Sequence, residues 1–101
     1  MRLEWTLAAI ADLVDARAYI EIDNPHAAQE LAARILEAAE GLLELPEIGR
    51  LGRTKGTRER PIANTSYVLI YRVRPGRVQI LRVYHGRRRW PPRRPDTTRA
   101  V

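Results

Sequence analysis

Residues 67–84 read YVLIYRVRPGRVQILRVY, and this stretch decides the fold. Val, Ile, Leu and Tyr dominate both halves, a composition that suits strand better than helix. Pro75-Gly76 divides the halves, and a Pro-Gly pair between two β-rich runs signals a turn. The stretch therefore predicts a β-hairpin, one strand over 67–74 and the other over 77–84. Side chains alternate across a strand. Tyr67, Leu69, Tyr71 and Val73 thus share one face, and Val68, Ile70 and Arg72 the other. An uninterrupted register sets Leu69, Tyr71, Leu81 and Val83 on the covered face. It leaves Val68, Ile70 and Ile80 on the opposite face with Arg72, Arg82 and Tyr84.

Working outward, residues 58–63 read as a further strand, with Pro61 marking an edge, and Asn64-Thr65-Ser66 turns the chain into the hairpin. Before it, PEIGRLGRTKGT (46–57) holds three glycines and reads as a loop. The preceding segment has the Ala/Leu/Glu character of helix. Ala28, Leu31, Ala32, Ile35, Ala39, Leu42 and Leu43 form one apolar stripe, which predicts a helix over 25–44. Asn24 can cap it, and Pro25 suits the first helical position, where its missing N–H costs nothing. Leu7, Ile10, Leu13, Val14 and Ile20 predict an earlier helix over 7–22, capped by Thr6. The short Asp23-Asn24-Pro25 break makes the two helices an antiparallel hairpin. Residues 1–5 alternate and read as a short strand. The order is β-α-α-β-β-β. It is an α+β fold, with an N-terminal helical hairpin on one face of a small, mostly antiparallel sheet. One domain over 1–91 is expected, followed by a basic, Pro-rich tail over 92–101 expected to be disordered.

The composition excludes several classes of function. The chain has 101 residues, the size of one domain, and no Cys, which removes disulfide scaffolds, thiolate metal sites and cysteine nucleophiles. Its two histidines, His26 and His85, lie far apart, and no metal site or cofactor is expected. GRLGRTKGT lacks the GxxxxGK[ST] phosphate loop and precedes a strand rather than a helix. The N-terminal apolar stretch is interrupted by acids, so neither a signal peptide nor a membrane span is read there, and a cytoplasmic protein without a membrane partner is expected. Charge is strongly divided. Residues 1–48 carry three basic and ten acidic side chains, and residues 49–101 carry fifteen basic and two acidic ones. Seventeen of the eighteen basic residues are Arg, the side chain suited to bidentate contact with phosphate or carboxylate.

The uncovered sheet face, apolar at one end and guanidinium-rich at the other, suits a phosphodiester or an acidic protein tail. Surface arginines covering the sheet with their aliphatic stems are the plainer alternative. RNA cleavage through the 2′-hydroxyl needs a base, an acid and cations around the phosphate. His85, Glu59 and Tyr84, with Arg72, Arg82 and Arg87, could fill these roles, although their spacing is not diagnostic. A metal-nuclease carboxylate cluster is excluded, because only Glu59 and Asp96 lie beyond residue 48.

Six motifs occur in order: W-T-x-x-A-x-x-D-L from Trp5, Y-I-x-x-D-N-P-x-A-A from Tyr19, L-x-x-x-P-x-I-G-R-x-G-R from Leu42, G-T-R-E from Gly56, Y-V-L-I-Y-R-V from Tyr67, and I-L-R-V-x-H-G-x-R-x-W-P from Ile80. Together they resemble the RelE/ParE superfamily of bacterial type II toxins, often called plasmid stabilization proteins. The resemblance implies a growth-inhibiting toxin neutralised by a cognate antitoxin. That antitoxin's acidic tail would wrap the basic half, and its DNA-binding N-terminal domain would be the sole link to operator DNA. RelE-like members cleave mRNA on the ribosome and are enzymes. ParE-like members inhibit DNA gyrase by binding. The RelE-type pair of loop lysines is absent, and the segment ending HGRRRWP looks more like the ParE-like branch. On that branch Arg53, Arg58, Arg72, Arg82, Arg87, Arg88 and Trp90 are the expected target- or antitoxin-binding residues. The alternative is a RelE-like nuclease using the His85 set.

Overall fold

The computed structural model describes residues 1–86. In chain order it contains β1 (Arg2–Trp5), α1 (Leu7–Glu21), α2 (Pro25–Gly41), β2 (Arg50–Leu51), β3 (Arg58–Pro61), β4 (Tyr67–Arg74) and β5 (Arg77–His85). The strands form one sheet in the order β1-β5-β4-β3-β2, parallel at β1–β5 and antiparallel elsewhere. The helical hairpin covers one face. β4 and β5 pair from Tyr67↔His85 to Arg74↔Arg77, around the expected Pro75-Gly76 turn. Gly76, at φ 76°, supplies the left-handed residue that this turn requires.

The pairing is not uninterrupted. Ile70 faces Arg82 and Tyr71 faces Ile80, so Leu81 is the extra residue of a β-bulge. The bulge exchanges faces within β5. Ile80 and Val78 become fully buried against the helices with Leu69, Tyr71 and Val83. Leu81 is only half-buried, and Gln79, opposite Arg72, turns to the uncovered face. Strict alternation has Leu81 in the core and Ile80 outside it, so the structure corrects both.

Two other expectations change. The loop contains a two-residue strand, β2, which lies on the outer side of β3 and gives the sheet five strands. β2 reaches only Arg58 and Glu59, so β3 is still the sheet edge at Pro61, where no ladder N–H is missed. In α1 the inward face is not the expected stripe. Ala9 and Ala16 are buried and Leu13 and Ile20 pack beside them, whereas Leu7, Ile10 and Val14 are exposed. Apolar residues lie on all sides of α1, so periodicity alone does not choose its inner face. The alanines let the helix sit close to the sheet.

α2 follows its stripe, burying Ala28, Leu31, Ile35 and Ala39, and it ends at Gly41, short of residue 44. Thr6 and Asn24 cap the two helices through their side-chain oxygens, accepting from the Ala9 and Ala27 N–H groups. No helix of the described residues is long and apolar enough to cross a membrane. The expected tail over 92–101 lies outside the described residues.

Ile35 is fully buried at the helix–sheet interface and Leu7 is 85% exposed. Ile35→Ala is expected to cost about 2–5 kcal/mol in urea unfolding, and Leu7→Ala less than about 0.5 kcal/mol.

Candidate functional site

The face of the sheet turned away from the helices is built by the pairing register. One row runs Arg50, Glu59, Ile70, Arg82 across β2, β3, β4 and β5. On one side of it lie Pro61, Val68 and Tyr84, and on the other Arg72, Gln79 and Glu4. The face is therefore an apolar strip bordered by guanidinium groups. Ile70, on this strip, is 1% exposed.

Most of these charges are held in place by partners. The Glu59 carboxylate is 2% exposed in residue terms and accepts from Arg50 Nη2 at 3.0 Å and from the Arg53 backbone N–H at 3.2 Å. Arg53 Nε stands 3.9 Å from Glu59 Oε2. Glu59 thus anchors β2 and the glycine-rich loop. Arg58 lies on the helix side, opposite Tyr71, and donates to the carbonyls of Gly49 at 2.8 Å and Glu47 at 3.3 Å. Arg72 Nε donates to Gln79 Oε1 at 2.7 Å.

Arg82 is fixed by a residue to which the sequence reading gives no role. Asp12, on the inner stripe of α1, accepts from Arg82 Nε at 2.7 Å and Nη2 at 3.0 Å. The same carboxylate accepts the Val83 backbone N–H at 2.9 Å. The hydrogen bond to Asp12 raises the Arg82 guanidinium above its ordinary pKa, against the opposing pull of burial. The guanidinium carbon also stands 5.5 Å from the Tyr84 ring centroid, within cation–π range. The sequence carries no local signal for this role, because the inner face of α1, on which Asp12 falls between Ala9 and Ala16, is set by packing rather than by a pattern of large apolar residues.

His85 sits apart from this set. It is the last residue of β5, opposite Tyr67, and the two rings meet edge-on at 5.2 Å. With Tyr67, Asp12, Asp15, Ala16, Tyr19 and Val83 it lines a cavity of about 460 Å³ between α1 and the sheet. Glu59, Arg72 and Tyr84 belong to the other face. Among the described residues, then, the structure gathers Arg50, Glu59, Arg72 and Tyr84 on one face and leaves His85 on the helix side, with Arg82 starting from the first face and reaching Asp12, which lines the His85 cavity. Arg87, Arg88 and Trp90 lie outside the described residues. No group of three or more His, Asp or Glu side chains converges to hold a metal among the described residues.

A second tie holds the loop to the sheet. The Tyr71 hydroxyl donates to the Pro46 carbonyl at 2.7 Å and accepts the Gly49 N–H at 2.9 Å. A Cβ on Gly49 would lie 2.6 Å from that hydroxyl and 3.0 Å from the Glu59 carbonyl oxygen, so only glycine fits. This explains P-x-I-G-R: proline and glycine form the two ends of a clamp on one buried phenol.

The sequence profile described as ParE toxin of type II toxin-antitoxin system, parDE, matches residues 3–90. The chain belongs to the ParE toxin family. It is 44% identical to Y4kP of Sinorhizobium fredii, a putative toxin by its description, over 90 residues, covering 89% of this chain and 93% of that protein. It is also 44% identical to Toxin RelE2 of Caulobacter vibrioides over 84 residues, covering 83% of this chain and 93% of its relative. A chain of the chromosomal ParDE TA system from P. aeruginosa superposes with a TM-score of 0.77 at 26% identity, covering 84% of this chain and 95% of that one. As a ParE-family member, the protein is the toxin of a type II toxin–antitoxin pair.

Two expectations follow from the anchors. Burial pushes the Tyr71 phenol above its ordinary pKa, outweighing the Gly49 hydrogen bond and the charges of Arg58 and Arg60. The folded state then keeps a proton that the unfolded chain releases near pH 10. Its stabilising contribution is complete below about pH 10 and declines as pH rises from there through the higher folded value. Tyr71→Phe should abolish this alkaline decline in pH-dependent unfolding while costing about 1–3 kcal/mol at neutral pH. Asp12→Ala should cost about 1.5–3 kcal/mol, and Arg82→Ala less, because Asp12 retains the Val83 N–H.

Proposed function

We propose that this ParE-family toxin inhibits growth by binding DNA gyrase, without catalysis, and that a cognate antitoxin neutralises it. The observation that carries this reading is the separation of His85 from Arg72, Tyr84 and Glu59 by the thickness of the sheet. General acid–base cleavage of RNA needs its base and acid within hydrogen-bond reach of one phosphate. Here Glu59 is engaged by Arg50 and Arg53, and Arg82 by Asp12. A set tied up in structural ion pairs suits a rigid binding face better than a hydrolytic centre. Half-buried Val68 and Tyr84, with Arg50, Arg53, Arg72 and Arg82 around them, form the target-binding face in this reading, whereas Ile70 is buried. Arg87, Arg88 and Trp90 extend it in sequence.

The antitoxin has the complementary chemistry: an acidic tail that lies along the basic half of the toxin. It carries the DNA-binding domain, so the toxin reaches operator DNA within the complex. The second reading, ribosome-dependent mRNA cleavage, draws on the likeness to Toxin RelE2 and on the Arg72, Arg82 and Tyr84 cluster.

Induction in a bacterial host lacking the antitoxin, with pulse labelling of DNA synthesis and translation, separates the two. DNA synthesis is expected to fall first, with filamentation, and purified toxin is expected to block gyrase supercoiling. An early fall in translation with cleaved mRNA would replace this reading by the nuclease.

A further inference from the structure

The register brings three arginines side by side at the far end of the uncovered face. Arg74 of β4 faces Arg77 of β5, and Arg77 faces Arg2 of β1. Directly paired residues share a face, and adjacent strands lie about 4.8 Å apart, so three guanidinium-bearing positions fall within about 10 Å. Arg72, two residues before Arg74 on the same face, adds a fourth. Among the described residues the nearby acid on that face is Glu4, the residue paired with Gln79. Glu4 accepts from Arg2 Nη2 at 2.9 Å and stands 3.2 Å from Arg77 Nε, with an alignment that leaves that Nε without a hydrogen bond. Arg74 is exposed, and the Arg2 side chain is 71% exposed.

Like charges directly opposite one another destabilise a sheet. One carboxylate, Glu4, serves both Arg2 and Arg77, so this row carries more positive charge than its single acid balances, in contrast to Glu59 and Asp12, whose hydrogen bonds hold Arg50 and Arg82. An excess of unneutralised positive charge calls for an anionic partner. The chemistry of the patch narrows the choice. Its outer-face residues, Arg2, Glu4, Arg72, Arg74, Arg77 and Gln79, include no apolar side chain to anchor a peptide. They include no aromatic ring on which an unpaired base could stack. What is left is attraction between closely spaced guanidinium groups and a rigid, dense array of phosphates.

We propose that Arg2, Arg74 and Arg77, with Arg72 beside them, form a docking surface for the phosphate backbone of a nucleic-acid duplex. The surface borders the face read as gyrase-binding, sharing Arg72 with it, but its argument rests on Arg2, Arg74 and Arg77 and does not depend on that reading. The contact is independent of sequence and positions the toxin along a duplex by charge.

The test uses the full chain and a labelled 20-base-pair DNA duplex, with binding followed by fluorescence anisotropy over a salt series. Arginines elsewhere in the chain contribute a background common to all variants. Arg74→Gln/Arg77→Gln is expected to weaken binding about ten-fold at low salt. It should also reduce the slope of log affinity against log salt by about 1.8, or about 0.9 for each phosphate no longer neutralised. Its thermal midpoint should stay close to that of the unaltered protein, since the relief of opposed charges offsets the loss of the Arg77–Glu4 pair. A control, Arg17→Gln/Arg34→Gln, removes the same net charge from exposed helix positions and is expected to leave the slope unchanged. Equal weakening in the control would reduce the effect to net charge and overturn the proposal. So would an unchanged slope in the Arg74/Arg77 variant. Equally tight binding of the single strand, or displacement of the duplex by an equally charged glutamate peptide, would also overturn it.

Discussion

The arrangement rests on how the open edge of β5 is closed. β1 pairs with β5 only from Arg77 to Ile80, and the last five residues of β5 would otherwise present bare backbone groups. Unpaired strand edges are costly when buried and adhesive when exposed. The chain solves this with side chains from the helix that follows β1. The Thr6 N–H reaches the Ile80 carbonyl and the Thr6 hydroxyl reaches the Leu81 carbonyl. Asp12, nearly two turns on, takes the Val83 N–H. One helix start thus serves as its own cap, as a continuation of the sheet and as the seat of Arg82. The order in W-T-x-x-A-x-x-D-L follows from these positions: Trp5 for the core, Thr6 for the cap, Ala9 for close approach and Asp12 for the edge.

The same economy governs the basic half of the chain. Arg50, Arg53, Arg58 and Arg82 each contact a carboxylate or a carbonyl in another segment. Charge division along the sequence therefore does not translate directly into a bare cationic surface. The acidic half supplies Asp12 to the basic half, and Glu59 organises the arginines around it. The row at the β4–β5 turn differs in its balance: Glu4 alone serves Arg2 and Arg77, and positive charge there exceeds what the sheet neutralises.

Much of the architecture is legible in the sequence. Thr6, Asn24 and Pro25 mark helix starts by side-chain chemistry that acts locally, and Pro75-Gly76 marks a turn for the same reason. The antiparallel hairpin and the α2 stripe follow from strong periodicity. Alternation misplaces Leu81 and Ile80 because a bulge leaves no local signature in a run of β-formers. Periodicity misplaces the inner face of α1 because small alanines, rather than its large residues, make the close contact. β2 escapes notice because two residues, Arg50 and Leu51, carry no pattern. At the candidate site the composition of the uncovered face is readable, since Arg72, Arg82 and Tyr84 do share it. The position of His85 is harder to read. It turns on whether β5 continues past Tyr84, and that is decided by the pairing of His85 with Tyr67 across the hairpin. The partners of Arg82 and Glu59 lie 70 and 9 residues away, respectively, and a distant pairing of the first kind is invisible to spacing arguments.

The parallel pairing of β1 with β5 also has a consequence for how the chain matures. The first strand waits for one of the last: Arg2 finds its partner only when Arg77 exists. During synthesis the helical hairpin can assemble early from local contacts, but it has no sheet to cover until β4 and β5 emerge. Pairing β1 with β5 closes a loop that spans most of the described residues, and closures of such long range carry a large entropic cost. A nascent chain lacking β5 would have neither the strand that joins β1 to β4 nor the edge that Thr6 and Asp12 complete. The uncovered face therefore comes into being as a unit once β5 is in place, rather than by increments.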